Sequence, residues 1–133
     1  MKLEFLHDIS DGGIYKEIET DELVRLFDFG KDEAAQLRSL IQSVVIEQGN
    51  PLDLGSLDFI DSINCNLTLR IGDEEIGIVT EDYTNFYCDL PRVAYQNMIA
   101  LINPFTEKNS RGYQWLYDID NPIDFLFAPG GSW

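Results

Sequence analysis

From Leu57 to Ile71 the apolar spacing of the chain settles to two. Leu57, Phe59, Ile63, Cys65, Leu67, Leu69 and Ile71 share one parity, with Asp61 the single exception, while Asp58, Ser62, Asn64, Asn66, Thr68 and Arg70 mostly fill the other. Successive side chains of a strand point to opposite faces, so this run predicts a long antiparallel strand with one wet face. The break in parity predicts a bend near Asp61-Ser62.

The remaining segments arrange themselves around that strand. KLEFLHDI, 2–9, predicts an opening strand, Asp11-Gly12-Gly13 a turn, and IYKEI a second strand. Thr20 suits an N-cap with Asp21 and Glu22 in the first turn, which predicts a short helix over LVRLFDF. Gly30 breaks it. KDEAAQLRSLIQSVV then puts Leu37, Leu40, Ile41, Val44 and Val45 on one stripe, the 3.6-residue period of an amphipathic helix. GNPLDLGS, 49–56, has loop composition.

Beyond the long strand, GDEE predicts a turn into EIGIVT, and EDYTN a loop into FYCDL, where Phe86, Cys88 and Leu90 alternate inward. Pro91 suits the first turn of a helix over RVAYQNMIALIN, with Ala94, Met98, Leu101 and Ile102 on one side and Pro104 ending it. In the tail Tyr113, Trp115, Tyr117 and Ile119 alternate, Asp120-Asn121-Pro122 forms a turn, and Ile123, Phe125 and Phe127 continue as the return strand of a hairpin. Leu116 and Leu126 fall on the opposite parity, which leaves the second face room for a helix, a second subunit or a partner. The expected fold is α+β: a single domain over 1–133, with an antiparallel sheet, about three α-helices packed on one face and a C-terminal β-hairpin.

Charge is the unusual property of the composition. Twenty-four acids against nine Lys and Arg give −15 at pH 7, beyond the magnitude of about 2–8 that suits a small soluble domain. Such a field repels phosphate backbones and anionic lipid and attracts basic surfaces, so neither direct nucleic-acid binding nor membrane binding is expected. MKLEFLHDIS has acids where a secretory signal needs an apolar stretch. No apolar run approaches the roughly 18 residues of a bilayer span. Cys65 and Cys88 are the only cysteines, too few for a disulfide scaffold, and the expected compartment is the cytoplasm.

Catalytic and cofactor signatures are not found in the sequence. His7 is the only histidine, and its strand neighbour Asp8 points to the other face, so the two form no local dyad. Two cysteines and one histidine without a C-x-x-C give no zinc pattern, and both cysteines lie on inward parities, as buried thiols do. DIDNPID, 118–124, lacks the central Gly and closing Glu of a calcium loop, and GDEE lacks alternating ligands. No glycine-rich phosphate loop is present, and PGGS precedes no helix. No metal and no cofactor are expected.

The acids are unevenly placed. Residues 39–91 hold ten acids and one base, Arg70, a balance of 1 − 10 = −9. They gather at expected turns: Asp73, Glu74 and Glu75; Glu81 and Asp82; Asp118 and Asp120. Tyr83, Tyr87, Trp115 and Tyr117 lie beside them, and Trp133 ends the chain as a further candidate contact. Aromatic anchors rimmed by acids suit the capture of a basic protein, since charge speeds encounter and rings supply contact area. The leading expectation is therefore a non-enzymatic binding module, in its most concrete form an inhibitor or immunity-type protein that blocks a basic, nucleic-acid-handling partner. Two alternatives are a small enzyme or ligand-binding domain with a pocket between sheet and helices, using His7, and a structural subunit that dimerises through the C-terminal hairpin.

Overall fold

The computed structural model describes residues 1–7 and 22–130. Its strands form two sheets. The first runs β4-β1-β2-β9-β8 and the second β3-β5-β7-β6. The strands are β1 (Lys2–His7), β2 (Glu22–Phe27), β3 (Leu52–Asp53), β4 (Asp61–Ser62), β5 (Asn66–Ile71), β6 (Gly77–Thr80), β7 (Asn85–Leu90), β8 (Gln114–Trp115) and β9 (Ile123–Ala128). Three α-helices accompany them: α1 (Lys31–Leu40), α2 (Arg92–Ile102) and α3 (Pro104–Glu107). A π-helical stretch, Ile41–Glu47, continues α1.

The architecture is mixed α/β, which corrects the expected single antiparallel sheet. β1 and β4, β2 and β9, and β5 and β7 pair parallel, whereas β1–β2, β3–β5, β6–β7 and β8–β9 pair antiparallel. The expected long strand is two strands in two sheets: β4 runs beside β1, and β5 lies between β3 and β7. Its parity is right from Cys65 to Leu69, all buried, and fails around the break, where Ile63 is 51% exposed and Ile60 is buried instead. The GDEE segment does not fold back into a simple hairpin either. It wraps around the end of β7, where Gly72 N–H donates to Leu90 O (3.0 Å) and Ile76 N–H to Asp89 O (3.1 Å). β6 therefore pairs on the far side of β7 from β5.

The second correction concerns LVRLFDF, a strand rather than a helix. Leu23, Val24 and Leu26 are all fully buried. β2 is the middle strand of its sheet, with Val24 and Leu26 facing the main core and Leu23 packing with Leu126, Ala128, Leu6 and Trp115 on the opposite face. A strand covered on both faces loses its alternation, and this spacing then mimics a helical stripe. The Asp11-Gly12-Gly13 turn, the IYKEI strand and the Thr20 cap with Asp21 lie outside the described residues.

Other expectations match the fold wholly or in part. Leu37, Ile41 and Val45 form the buried stripe of α1 and its extension. Phe86, Cys88 and Leu90 are buried on β7. Pro91 caps α2, which buries Met98 and Ile102 of the expected stripe and Tyr95 outside it, while Ala94 and Leu101 are only half-buried; Pro104 opens α3 after α2 ends. β8 and β9 form the C-terminal hairpin, with Trp115 opposite Leu126, but β8 is only Gln114–Trp115, Tyr113 is exposed and Leu116 is buried, so the expected alternation over 113–119 does not hold. The 49–56 segment, expected as loop throughout, contains β3 and a short 3-10 turn (Leu54–Ser56). Both sheets, the helices and the π stretch share one buried cluster, in which each large apolar side chain contributes about 1.5–3 kcal/mol.

Candidate protein-binding surface

β6 is four residues long, and the acids expected to act together lie at its two ends. Asp73, Glu74 and Glu75 are exposed where the chain rounds β7 before β6, and Glu81 and Asp82 are exposed in the turn after it. Those ends stand about 10 Å apart at the strand rise per residue. The hairpin loop 116–122 runs along β6, because Asn121 Nδ2 donates to Ile76 O (2.5 Å) and Ile78 O (3.1 Å). That loop carries the exposed Asp118 and Asp120 past the same strand.

The aromatic residues separate into distinct environments. Tyr117 is buried; its hydroxyl accepts Ile78 N–H (3.1 Å) and donates to Ile123 O. Burial raises its pKa well above the usual tyrosine value. Trp115 is half-buried and packs on Leu23, Leu126 and Ala128. Tyr87, on the solvent face of β7, stacks under the Arg70 guanidinium (4.2 Å), which also grips Asp89 through two 2.7 Å bonds. The charge of Arg70 is thereby engaged within its own sheet. Trp133 lies outside the described residues.

Tyr83 differs from all of these. It is 57% exposed and its backbone is left-handed, with φ +56°, a conformation that costs an L-residue roughly 1–2 kcal/mol. The turn around it enforces the conformation. Asp82 Oδ1 accepts the N–H groups of Thr84 (3.0 Å) and Asn85 (2.8 Å), and Thr80 Oγ1 accepts Tyr83 N–H (3.0 Å). Those bonds from Asn85 and Thr84 hold the exposed Asp82 carboxyl down at about 2. Asp82 is thus a turn-forming residue, and Glu81 is the carboxylate beside it that the turn leaves to solvent.

The Tyr83 ring rests 5.9 Å from Phe5, which lies 4.8 Å from Phe86 and stacks 6.0 Å from the exposed His7. The Phe5 main chain is closed from the other side by Asn64, whose Oδ1 accepts Phe5 N–H and whose Nδ2 donates to Phe5 O, both at 2.8 Å. Ile63 stands exposed next to it. Nothing in the sequence spacing places Phe5 against Tyr83, or His7 and Asn64 against Phe5. The only sequence signal was the parity break at Asp61, which is where Ile63 leaves the core.

Groups for catalysis or metal binding are sparse. No cluster of three or more His, Cys, Asp or Glu placed to hold a metal occurs among the described residues. Burial pushes the Cys65 and Cys88 thiols up to about 12, which favours the protonated form at neutral pH. A shallow depression of about 350 Å³ lies against α1 and α2, lined by Arg38, Ser39, Gln42, Ile99 and Asn103. Arg38 there donates to Asn103 Oδ1 (2.8 Å). No helix among the described residues is long and apolar enough to cross a membrane. Comparison with family models, with curated proteins and with solved structures finds no match to this chain.

Proposed function

We propose that this chain is a non-enzymatic module that captures a basic protein, acting in the cytoplasm, with Tyr83 as the anchor of its contact surface. The observation that carries the reading is the Tyr83 ring: more than half exposed, held in a left-handed conformation by the Asp82 turn, and seated on Phe5 next to Glu81. Strain of this kind persists where surrounding bonds enforce it, and it recurs at binding sites. A rigid aromatic beside a solvated carboxylate suits the aliphatic stem and charged head of lysine or arginine. The net charge of −15 supplies long-range attraction for such a partner. An inhibitor or immunity-type role against a nucleic-acid-handling protein is the concrete form of this proposal.

The test is capture from lysate with three proteins: wild type, Glu81→Gln/Tyr83→Ala, and Asp73→Asn/Glu74→Gln/Glu75→Gln. The expected result is one basic protein retained by the wild type, released by added salt, lost from the first variant and kept by the second. Retention that is insensitive to salt, or equal in all three, contradicts the proposal.

A further inference from the structure

Four strands form the sheet edges: β4, β8, β3 and β6. Three of them have main-chain groups that are already occupied. On β6, Asn121 takes the carbonyls of Ile76 and Ile78, and the Tyr117 hydroxyl takes Ile78 N–H. On β8, Gln114 Nε2 donates to Trp115 O (2.9 Å). On β3, Ser56 Oγ donates to Asp53 O (2.7 Å). β3, β8 and β4 are each two residues long, so length does not separate them; occupied main-chain groups leave an added strand less to pair with.

β4 is arranged differently. Asp61 N–H bonds to Met1 O and Ile63 N–H to Leu3 O, both at 2.9 Å. Alternation along the ladder then turns Ser62 N–H and C=O away from β1. Among the described residues no hydrogen bond reaches those two groups. Asp61, Ser62, Ile63 and Asn64 are all exposed.

We propose that the open edge of β4 is a strand-addition site for an extended, lysine- or arginine-bearing segment of a protein partner. The inference rests on the basic-partner reading above and names the part of that partner which binds. Charge decides the occupant. Asp61 is exposed on this strand, and Asp58 is exposed in the turn that leads into it. Lys2, opposite Asp61 in the ladder, is held by Asp28 at 3.1 Å. Arg70, the one base between residues 39 and 91, is bound to Asp89 in the other sheet. A second copy of this chain would bring the same acids and another −15 to the contact, which like-charge repulsion disfavours. In strand addition, main-chain bonds supply affinity and alternate side chains supply selectivity. Asp61 and Ile63 lie two residues apart on one face, so the fitting strand carries a basic and an apolar residue two positions apart.

The probe is a labelled peptide in which lysine and valine occupy alternate positions on one face, with threonine between them. A control peptide has glutamate in place of lysine. Both are titrated against wild type, Ser62→Pro and Tyr83→Ala. Proline at 62 removes the outward N–H and fills the edge with its ring, while the Asp61 and Ile63 bonds to β1 remain. The expected results are about tenfold tighter binding of the lysine peptide than of the control, and about tenfold loss in Ser62→Pro. Amide exchange at Ser62 and Asn64 in the wild type should also slow when the lysine peptide binds, a readout that does not depend on how well the proline variant folds.

Unslowed exchange at Ser62, with lysine-peptide binding lost only in Tyr83→Ala, overturns the edge site and leaves the basic-partner reading standing. Equal binding of lysine and glutamate peptides overturns both. Slowed exchange at Ser62 that depends on protein concentration without peptide makes a second copy the occupant and overturns the basic segment.

Discussion

The Tyr95 hydroxyl sits within the parallel ladder of β5 and β7. It accepts Arg70 N–H (3.0 Å) and directs its proton to the carbonyls of Arg70 (2.9 Å) and Cys88 (2.6 Å). Tyr95→Phe keeps the ring and strands these groups in a buried setting, so it should cost about 1–3 kcal/mol in urea unfolding. A cost indistinguishable from zero would mean that the ladder closes without the hydroxyl. Asp82 carries a pH dependence. Its folded carboxyl lies at about 2, below the ordinary 3.8, so its stabilising effect is complete above the ordinary value and disappears as pH falls through the folded one. Wild type should exceed Asp82→Asn in thermal stability at about pH 6, and the gap should close by roughly pH 2. A gap that is independent of pH would show that the charge of Asp82 does not hold the turn. At this scale the sequence offers Tyr83 and its neighbouring acids only as candidates, by residue type. It did not reveal the roles of Asn64 and Asn121, because an amide that completes a strand edge is recognisable only once the strands are in place.

At the level of elements, spacing was legible where one face is wet and opaque where both are covered. α1 and β7 have one buried face each, and their stripes could be read from the sequence. β2 is buried on both, so its spacing resembled a helix. β4 and β5 keep nearly one parity across a break that moves the chain between sheets. Parallel pairing depends on connections that periodicity does not encode. The strand assignment of β2 makes Leu23 a core residue of the outer cluster, and Leu23→Ala should destabilise by about 2–5 kcal/mol. A change within about 0.5 kcal/mol is what an exposed position would give. Gly77 opens β6 at φ +88°, and a Cβ there would meet Asn121 Nδ2 at 2.7 Å. Gly77→Ala should therefore lower stability and speed amide exchange along β6, through both the backbone conformation and the loss of the Asn121 bridge. Unchanged exchange on β6 would mean that Asn121 does not hold this edge.

At the scale of the whole molecule the dominant property is the net charge of −15. Self-repulsion of that size is screened by salt, so the unfolding midpoint should rise with added sodium chloride. A gain of about 1 kcal/mol corresponds to roughly 4 °C in a chain of this length. A flat or falling midpoint would show that the acids are already compensated in the fold. On the proposed function, the same field would draw a basic partner towards the molecule as a whole, and Tyr83 would give the encounter its centre. The most direct measurement is an amide chemical-shift titration of the isotopically labelled chain with the lysine-bearing peptide. The largest changes should fall on His7, Ile63, Glu81 and Tyr83. Changes centred on residues 73–75 and 118–120, or spread evenly over the acidic surface, would contradict a capture site at Tyr83.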